Sequence, residues 1–212
     1  MEKWKIEKLI LGMVRTNCYL AVNEDTGDCF VVDPADRADV IFGKVEELGV
    51  RPAAILLTHG HFDHIGAAQE VRAKYQIPVM AHEEERGVME SASVNLSDTL
   101  GTPFTVKADR FLRDGECLKI AGFGIQVMHT PGHTKGGACY YLSQEKALFS
   151  GDTLFYESVG RTDFPTGSYA QIVKSVERLV EELPEDTAVY PGHEMQTDIA
   201  HEKRYNPFLI HG

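Results

Sequence analysis

Apolar positions gather in short stretches divided by turn residues. Residues 5–11, 17–22 and 29–32 carry β-branched and aromatic side chains and predict three strands, with Asp25-Thr26-Gly27 as a turn. The spacing then changes. Val40, Ile41, Val45 and Leu48 fall near one face of a helix over 38–48, and Gly49 suits its C-cap. The apolar run 53–57 predicts a buried strand, a helix follows the next loop through about Tyr75, and 77–81 predicts another strand.

Residues 83–90 read as a helical turn, with Glu83-Glu84-Glu85 as a solvated face, and 91–103 as a polar surface excursion. In the second half, 117–120 and 124–128 predict a hairpin around Gly122, and 138–142 and 147–149 another. Ile172, Val176, Leu179 and Leu183 share one side of a helix over 168–183. A strand at 188–190 and a helix over 195–205 end the chain. Mixed strands and helices with hairpins in both halves predict an α+β fold, two antiparallel-rich sheets covered by helices. No linker, low-complexity segment or exact repeat divides the 212 residues, so one domain over 1–212 is expected.

Composition narrows the function. Hydrophobic content of 43% and charged content of 25% suit a soluble globular protein. No apolar run approaches the ~20 residues of a membrane span, so no membrane partner is expected. Met1-Glu2-Lys3-Trp4-Lys5 leads into alternating sequence rather than an apolar signal core, which predicts a cytoplasmic protein. A net charge of −11 repels phosphate backbones and argues against nucleic-acid binding. Cys18, Cys29, Cys117 and Cys139 are scattered without a C-x-x-C pair and are read as reduced structural thiols. The oligomeric state is open.

The chemistry concentrates after the strand at 53–57, in His59-x-His61-x-Asp63-His64. Imidazole and carboxylate are ligands that zinc and similar divalent ions accept. In an extended segment His59, His61 and Asp63 share a side. With His64 they are too many for one open tetrahedral site, and two adjacent ions resolve the excess. Three further residues repeat one context, a strand and a glycine turn before a ligand-type side chain: His133 in Thr130-Pro131-Gly132-His133, Asp152 in Ser150-Gly151-Asp152, and His193 in Tyr190-Pro191-Gly192-His193. Strand ends gathered at one sheet edge make a site. Asp33 reads equally as a carboxylate that orients a ligand histidine and as a strand-ending turn. Lone His82, His129, His201 and His211 read as structural or exposed, and Lys135 as a solvated loop lysine.

These motifs resemble the metallo-β-lactamase superfamily and, within it, the glyoxalase II-like hydrolases, from Asn17-Cys18-Tyr19-Leu20 through Asn206-Pro207-Phe208. The resemblance implies an αββα sandwich with metals at one edge of two sheets. It implies one ion on His59, His61 and His133, a second on Asp63, His64 and His193, and Asp152 bridging both. Asp63 and Asp152 are then the catalytic carboxylates. The ions are two divalent metals, zinc foremost, with iron and manganese suited to the same donors. The implied substrate is a small-molecule thioester.

Arg161, in Gly160-Arg161-Thr162-Asp163-Phe164, stands where glyoxalase II has a glutathione-contacting lysine, and it suits a substrate carboxylate. Asp163 and Met195 replace two glutathione-contacting tyrosines, and the helical C-terminal domain of larger glyoxalase II enzymes is not among these residues. The resemblance also extends to persulfide dioxygenases, which would place one iron on His59, His133 and Asp152, and to other hydrolases such as lactonases.

Overall fold

A computed structural model describes residues 3–209; Met1 and Glu2 of the N-terminal reading, and His211, lie outside the described residues. The chain opens with a hairpin of β1 (Trp4–Leu11) and β2 (Thr16–Asn23), followed by β3 (Asp28–Val32). Helix α1 (Ala38–Leu48) leads to β4 (Arg51–Leu56), α2 (Phe62–Ile65), α3 (Ala68–Tyr75), β5 (Val79–His82), α4 (Arg86–Met89) and β6 (Arg110–Leu112). These strands form one sheet in the order β1-β2-β3-β4-β5-β6.

Next come β7 (Cys117–Ile120), β8 (Phe123–His129), β9 (Ala138–Leu142) and β10 (Ala147–Gly151). A small hairpin of β11 (Leu154–Phe155) and β12 (Ser158–Val159) precedes α5 (Tyr169–Glu182), β13 (Ala188–Pro191), β14 (Thr197–Asp198) and α6 (Ile199–Tyr205). The second sheet runs β14-β13-β10-β9-β8-β7.

Period-two alternation builds the layers. On β2 and β3, Cys18, Leu20, Val22, Cys29 and Val31 face outward under Ile41, Val45 and Val71 of α1 and α3. Their alternates Tyr19, Ala21, Phe30 and Val32 face inward, against Phe123, Ile125, Tyr140 and Phe149 of the second sheet. Phe30 meets Phe123 and Phe149 edge-on, with ring centroids 5.5 and 5.9 Å apart. On the far side, Val176 and Leu179 of α5 cover Cys139, Leu148 and Val189. The result is an α+β, single-domain αββα sandwich.

Several local expectations change. The first sheet is mostly parallel: β1, β2 and β3 pair antiparallel, but β3, β4, β5 and β6 pair in parallel. The helix expected through Tyr75 is two: Ala67 leaves helical geometry and its N–H turns to the Pro34 carbonyl. The last helix begins at Ile199, since Thr197–Asp198 pairs with β13 and Asp198 caps the helix through His201 N–H. The excursion at 91–103 is irregular but anchored: Asn95 and Ser97 are buried, and the Asn95 carbonyl accepts from Phe62 N–H at the start of α2. Three cysteines are buried, whereas Cys117 is exposed. No helix among the described residues is long and apolar enough to cross a membrane.

The pairing places the functional loops together. β3 and β4 are parallel, as are β10 and β13, and β8 runs with β10 because each is antiparallel to β9. The C-terminal ends of β3, β4, β8, β10 and β13 therefore open at one edge of the sandwich, beside the start of β2.

Candidate metal centre

All seven predicted ligands converge at that edge. The loop after β4 carries His59 and His61, the loop after β8 His133, the turn after β10 Asp152, and the loop after β13 His193. Asp63 and His64 lie on α2. Because the chain turns helical at Phe62, Asp63 does not share a side with His59 and His61, as extended backbone predicted. Two trios result, His59, His61 and His133, and Asp63, His64 and His193, with a third group, His59, His64 and Asp152, running across them. Within each, the candidate donor atoms lie within 4.8 Å of one another. Asp152 reaches both, with Oδ2 3.4 Å from His133 Nε2 and 3.5 Å from His193 Nε2, and Oδ1 3.4 Å from His64 Nε2.

Outer partners aim these rings. His133 Nδ1–H donates to the Arg161 carbonyl at 2.7 Å, leaving the Nε2 lone pair to ligate a metal ion. His64 Nδ1–H donates to Asp33 Oδ2 at 2.9 Å, so its Nε2 faces Asp63, Asp152 and His193. Asp33 thus fulfils both readings made of it. It turns the chain at a φ of 48° and orients a histidine, while its carboxylate also accepts from Thr58 N–H and Oγ1–H. The His193 loop is pinned by Asn17 Nδ2 and Tyr19 OH, both donating to the Pro191 carbonyl.

The donor set fits divalent metal ions. His59 Nε2, His61 Nε2 and Asp152 Oδ1 are buried without a hydrogen-bond partner, and such orphans are costly and rare. His61 Nδ1 lies 2.9 Å from His133 Nε2, and even the Nδ1–H tautomer of His61, which pairs that contact, leaves its buried Nε2 without a partner. Buried, close-packed imidazoles with orphaned nitrogens are the arrangement that a shared cation satisfies.

Charge is poised accordingly. Burial, then the neighbouring rings, pushes His59 well below its usual pKa and His61 down to about 3, so both stay neutral. Burial opposes ionisation of Asp63, yet His64, with hydrogen bonds from His193 and Thr16, holds that carboxyl well below the usual range. Burial likewise opposes protonation of His64, but Asp63, Asp152 and Asp33 raise it to about 10.

Sequence reasoning missed three contributors. Thr16 Oγ1–H donates to Asp63 Oδ2 at 2.8 Å. Thr58 Oγ1 lies 3.2 Å from His59 Nδ1. Glu85, expected on a solvated face, is wholly buried. Glu83 and Glu84 do remain at the surface, and Lys135 is 64% exposed while pairing with Glu84. His82 and His129 stack on each other at 4.0 Å, and His201 stacks on Tyr156, all outside the centre.

His61, Asp63, His133, Asp152 and His193 floor a cavity of about 420 Å³ walled by Val14, Phe155, Val159, Arg161, Phe164 and Glu194. Arg161 stacks over Phe164 at 4.1 Å and is clasped by Asp163 in two bonds of 2.7 and 2.6 Å. The carboxylate-binding face predicted for it is therefore already engaged within the chain. Met195 is 59% exposed.

Comparison with known proteins agrees with this geometry. The family model described as "Metallo-beta-lactamase superfamily" matches residues 11–193. The chain is 40% identical over 210 residues to "Probable metallo-hydrolase YqgX" of Bacillus subtilis, covering 98% of this chain and 97% of that one. It is 33% identical to "Hydroxyacylglutathione hydrolase GloC" of Haemophilus influenzae, covering 96% and 97%. Among solved structures, the BLEG-1 B3 metallo-beta-lactamase superposes with a TM-score of 0.91 at 40% identity, covering 97% of this chain and 99% of that one. TTHA1623 in a di-iron-bound form gives 0.86 at 34%, covering 96% and 100%. ETHE1 from Myxococcus xanthus gives 0.80 at 31%, covering 96% and 83%.

Proposed function

The chain belongs to the metallo-beta-lactamase superfamily and is a metallo-hydrolase, and on that premise we propose that it hydrolyses small acyl thioesters, in the manner of a hydroxyacylglutathione hydrolase, with two divalent ions. The observation that carries this reading is the pair of ligand trios joined through Asp152 beneath an open cavity of about 420 Å³.

His59, His61 and His133 would hold one ion, Asp63, His64 and His193 the other, and Asp152 would touch both. Zinc suits these nitrogen and oxygen donors, as do iron and manganese. Ions held there would bring the pKa of water towards neutrality and polarise a thioester carbonyl. The chain's own part is orientation. Asp33 and the Arg161 carbonyl fix the His64 and His133 rings through their Nδ1–H groups. Thr16 Oγ1–H holds Asp63 Oδ2, the oxygen that lies 3.4 Å from His64 Nε2 and 3.3 Å from His193 Nε2, and the carboxylate fixed in this way would orient the attacking water. Val14, Phe155, Val159 and Phe164 supply apolar walls for the acyl and thiol arms, and Arg161 stands at the rim for an anionic group that competes with Asp163.

Two relatives motivate this choice and its rival. GloC supports the thioester reading, and ETHE1 supports a single-iron persulfide dioxygenase, for which His59, His133 and Asp152 would be the ligands. Elemental analysis of protein purified without added metal, with S-lactoylglutathione cleavage measured on the same sample, separates them. Two metals per chain with thioester cleavage is the expected result. One iron, no cleavage and oxygen uptake with a persulfide would overturn it. A chromogenic β-lactam on the same sample tests the likeness to BLEG-1.

A further inference from the structure

Glu85 lies outside the ligand set but inside its frame. Its carboxylate is fully buried, and burial pushes it up to about 7 despite three hydrogen bonds. Oε1 accepts from Gly60 N–H at 2.7 Å, and Oε2 accepts from Thr134 Oγ1–H at 2.9 Å and Gly136 N–H at 2.8 Å. All three partners are donors, so the ionised acid is the form that the pocket fits.

The partners' positions give the arrangement its meaning. Gly60 sits between His59 and His61, while Thr134 and Gly136 closely follow His133. These loops leave different sheets, one after β4 and one after β8. A single side chain from the turn after β5 therefore ties together the two backbones that carry one trio. The packing leaves little slack, because a Cβ at Gly136 would lie 2.1 Å from the Glu85 backbone nitrogen. The other trio has supports of its own, Thr16 on Asp63 and Asn17 and Tyr19 on the His193 loop, while Asp33 serves both trios, through His64 and through Thr58 beside His59.

We propose that Glu85 is a positioning residue that sets the spacing of the His59, His61 and His133 trio, and so the affinity of that trio for its metal ion, without governing the Asp63, His64 and His193 trio. The inference rests on the two-metal reading. Glu85→Gln keeps the shape, and its oxygen can still accept from Thr134 and Gly136. Its NH2 then faces Gly60 N–H, donor against donor.

The test is stepwise zinc affinity of the full chain, by competition with a chromophoric chelator, beside the melting temperature of the chelated protein. Outer-sphere changes of this kind cost roughly 10–100-fold in metal affinity. In Glu85→Gln one binding step weakens by about that factor and the other stays within about twofold. Thr16→Val, which removes the donor on Asp63, weakens the opposite step. Wild-type affinities in Glu85→Gln overturn the proposal. So does an equal loss in both steps that tracks a fall in the chelated protein's melting temperature, which marks a merely structural role. If Glu85→Gln fails to fold, Thr134→Val removes one donor and leaves the carboxylate in place. It weakens the same step by a smaller factor, and no change overturns the proposal. Wild-type protein that binds one ion or none defeats the two-metal reading itself, and this inference with it.

Discussion

Gly192→Ala places one methyl group where the two trios meet. A Cβ at Gly192 would lie 2.3 Å from Asp152 Oδ1, 2.7 Å from His64 Cε1 and 3.1 Å from the Gly151 carbonyl carbon. Ordinary contact starts at 3.4 Å, so something must retreat by about an ångström. The loop cannot lift freely: its Pro191 carbonyl is held by Asn17 and Tyr19, and Gly192 N–H donates to the Gly151 carbonyl. Asp152 therefore yields, and it is the residue that reaches both trios. Overpacking of this kind costs about 1–3 kcal/mol, or roughly 2–4 °C of melting temperature per kcal/mol in a chain this size. An ångström of misplacement at a reacting centre costs on the order of 10²-fold in rate. The assay is kcat for thioester cleavage, with metal content and melting temperature on the same preparation. Gly43→Ala is the control. Gly43 sits in α1 with open space around it, so alanine there keeps activity and stabilises by about 1 kcal/mol. A Gly192→Ala protein with wild-type kcat, metal content and melting temperature would refute the assignment of Asp152.

Asp152→Asn removes the charge shared by both trios and lowers thioester turnover by at least about 10²-fold, with loss of metal seen by elemental analysis; full activity would sink the two-metal mechanism. Arg161→Met raises KM for an anionic thioester roughly tenfold with little change in kcat, since the Arg161 carbonyl that holds His133 is retained. Asp163→Asn frees the guanidinium and shifts KM the other way; equal KM values in both variants would show that Arg161 does not meet substrate. Burial, foremost, depresses His82 to about 4, so the unfolded chain takes up that proton first as pH falls from 6.5. Its contribution to stability is present above pH 6.5 and is lost as pH falls towards 4. His82→Asn keeps the cap on Glu84 N–H and removes the titration, so its denaturant midpoint falls less between pH 7 and 4.5; parallel curves would refute this.

Residues that carry their signal locally were legible in the sequence. His59 follows a buried strand, each of His133, Asp152 and His193 follows a strand and a glycine turn, and period two along β2 and β3 already separates Leu20 and Val31 from Tyr19 and Phe30. Pairings between distant segments were not. β6 is three residues long and is a strand only because Ala81 and its neighbours lie beside it in parallel. Thr197–Asp198 reads as the start of a helix until β13 claims it. The break between α2 and α3 depends on a carbonyl at Pro34, which no helical pattern in 62–75 can reveal.

The same distinction explains why the ligands were found and part of their support was not. A metal ligand is constrained by its element, whereas a residue that holds a ligand is constrained by what folds against it. Asp33 could be suspected because it ends a strand at the ligand edge. Glu85 could not, because Glu83, Glu84 and Glu85 have identical side chains and only the arrival of Gly60, Thr134 and Gly136, from 25 to 51 residues away, separates the third from the first two. A run of like charges is normally solvated. One member kept in the interior has to be stabilised by donors, and here those donors belong to the loops of His59, His61 and His133. The desolvation cost of the Glu85 carboxylate is thereby coupled to the geometry of a metal trio, so a change at Glu85 should be read at the metal before it is read in the melting temperature.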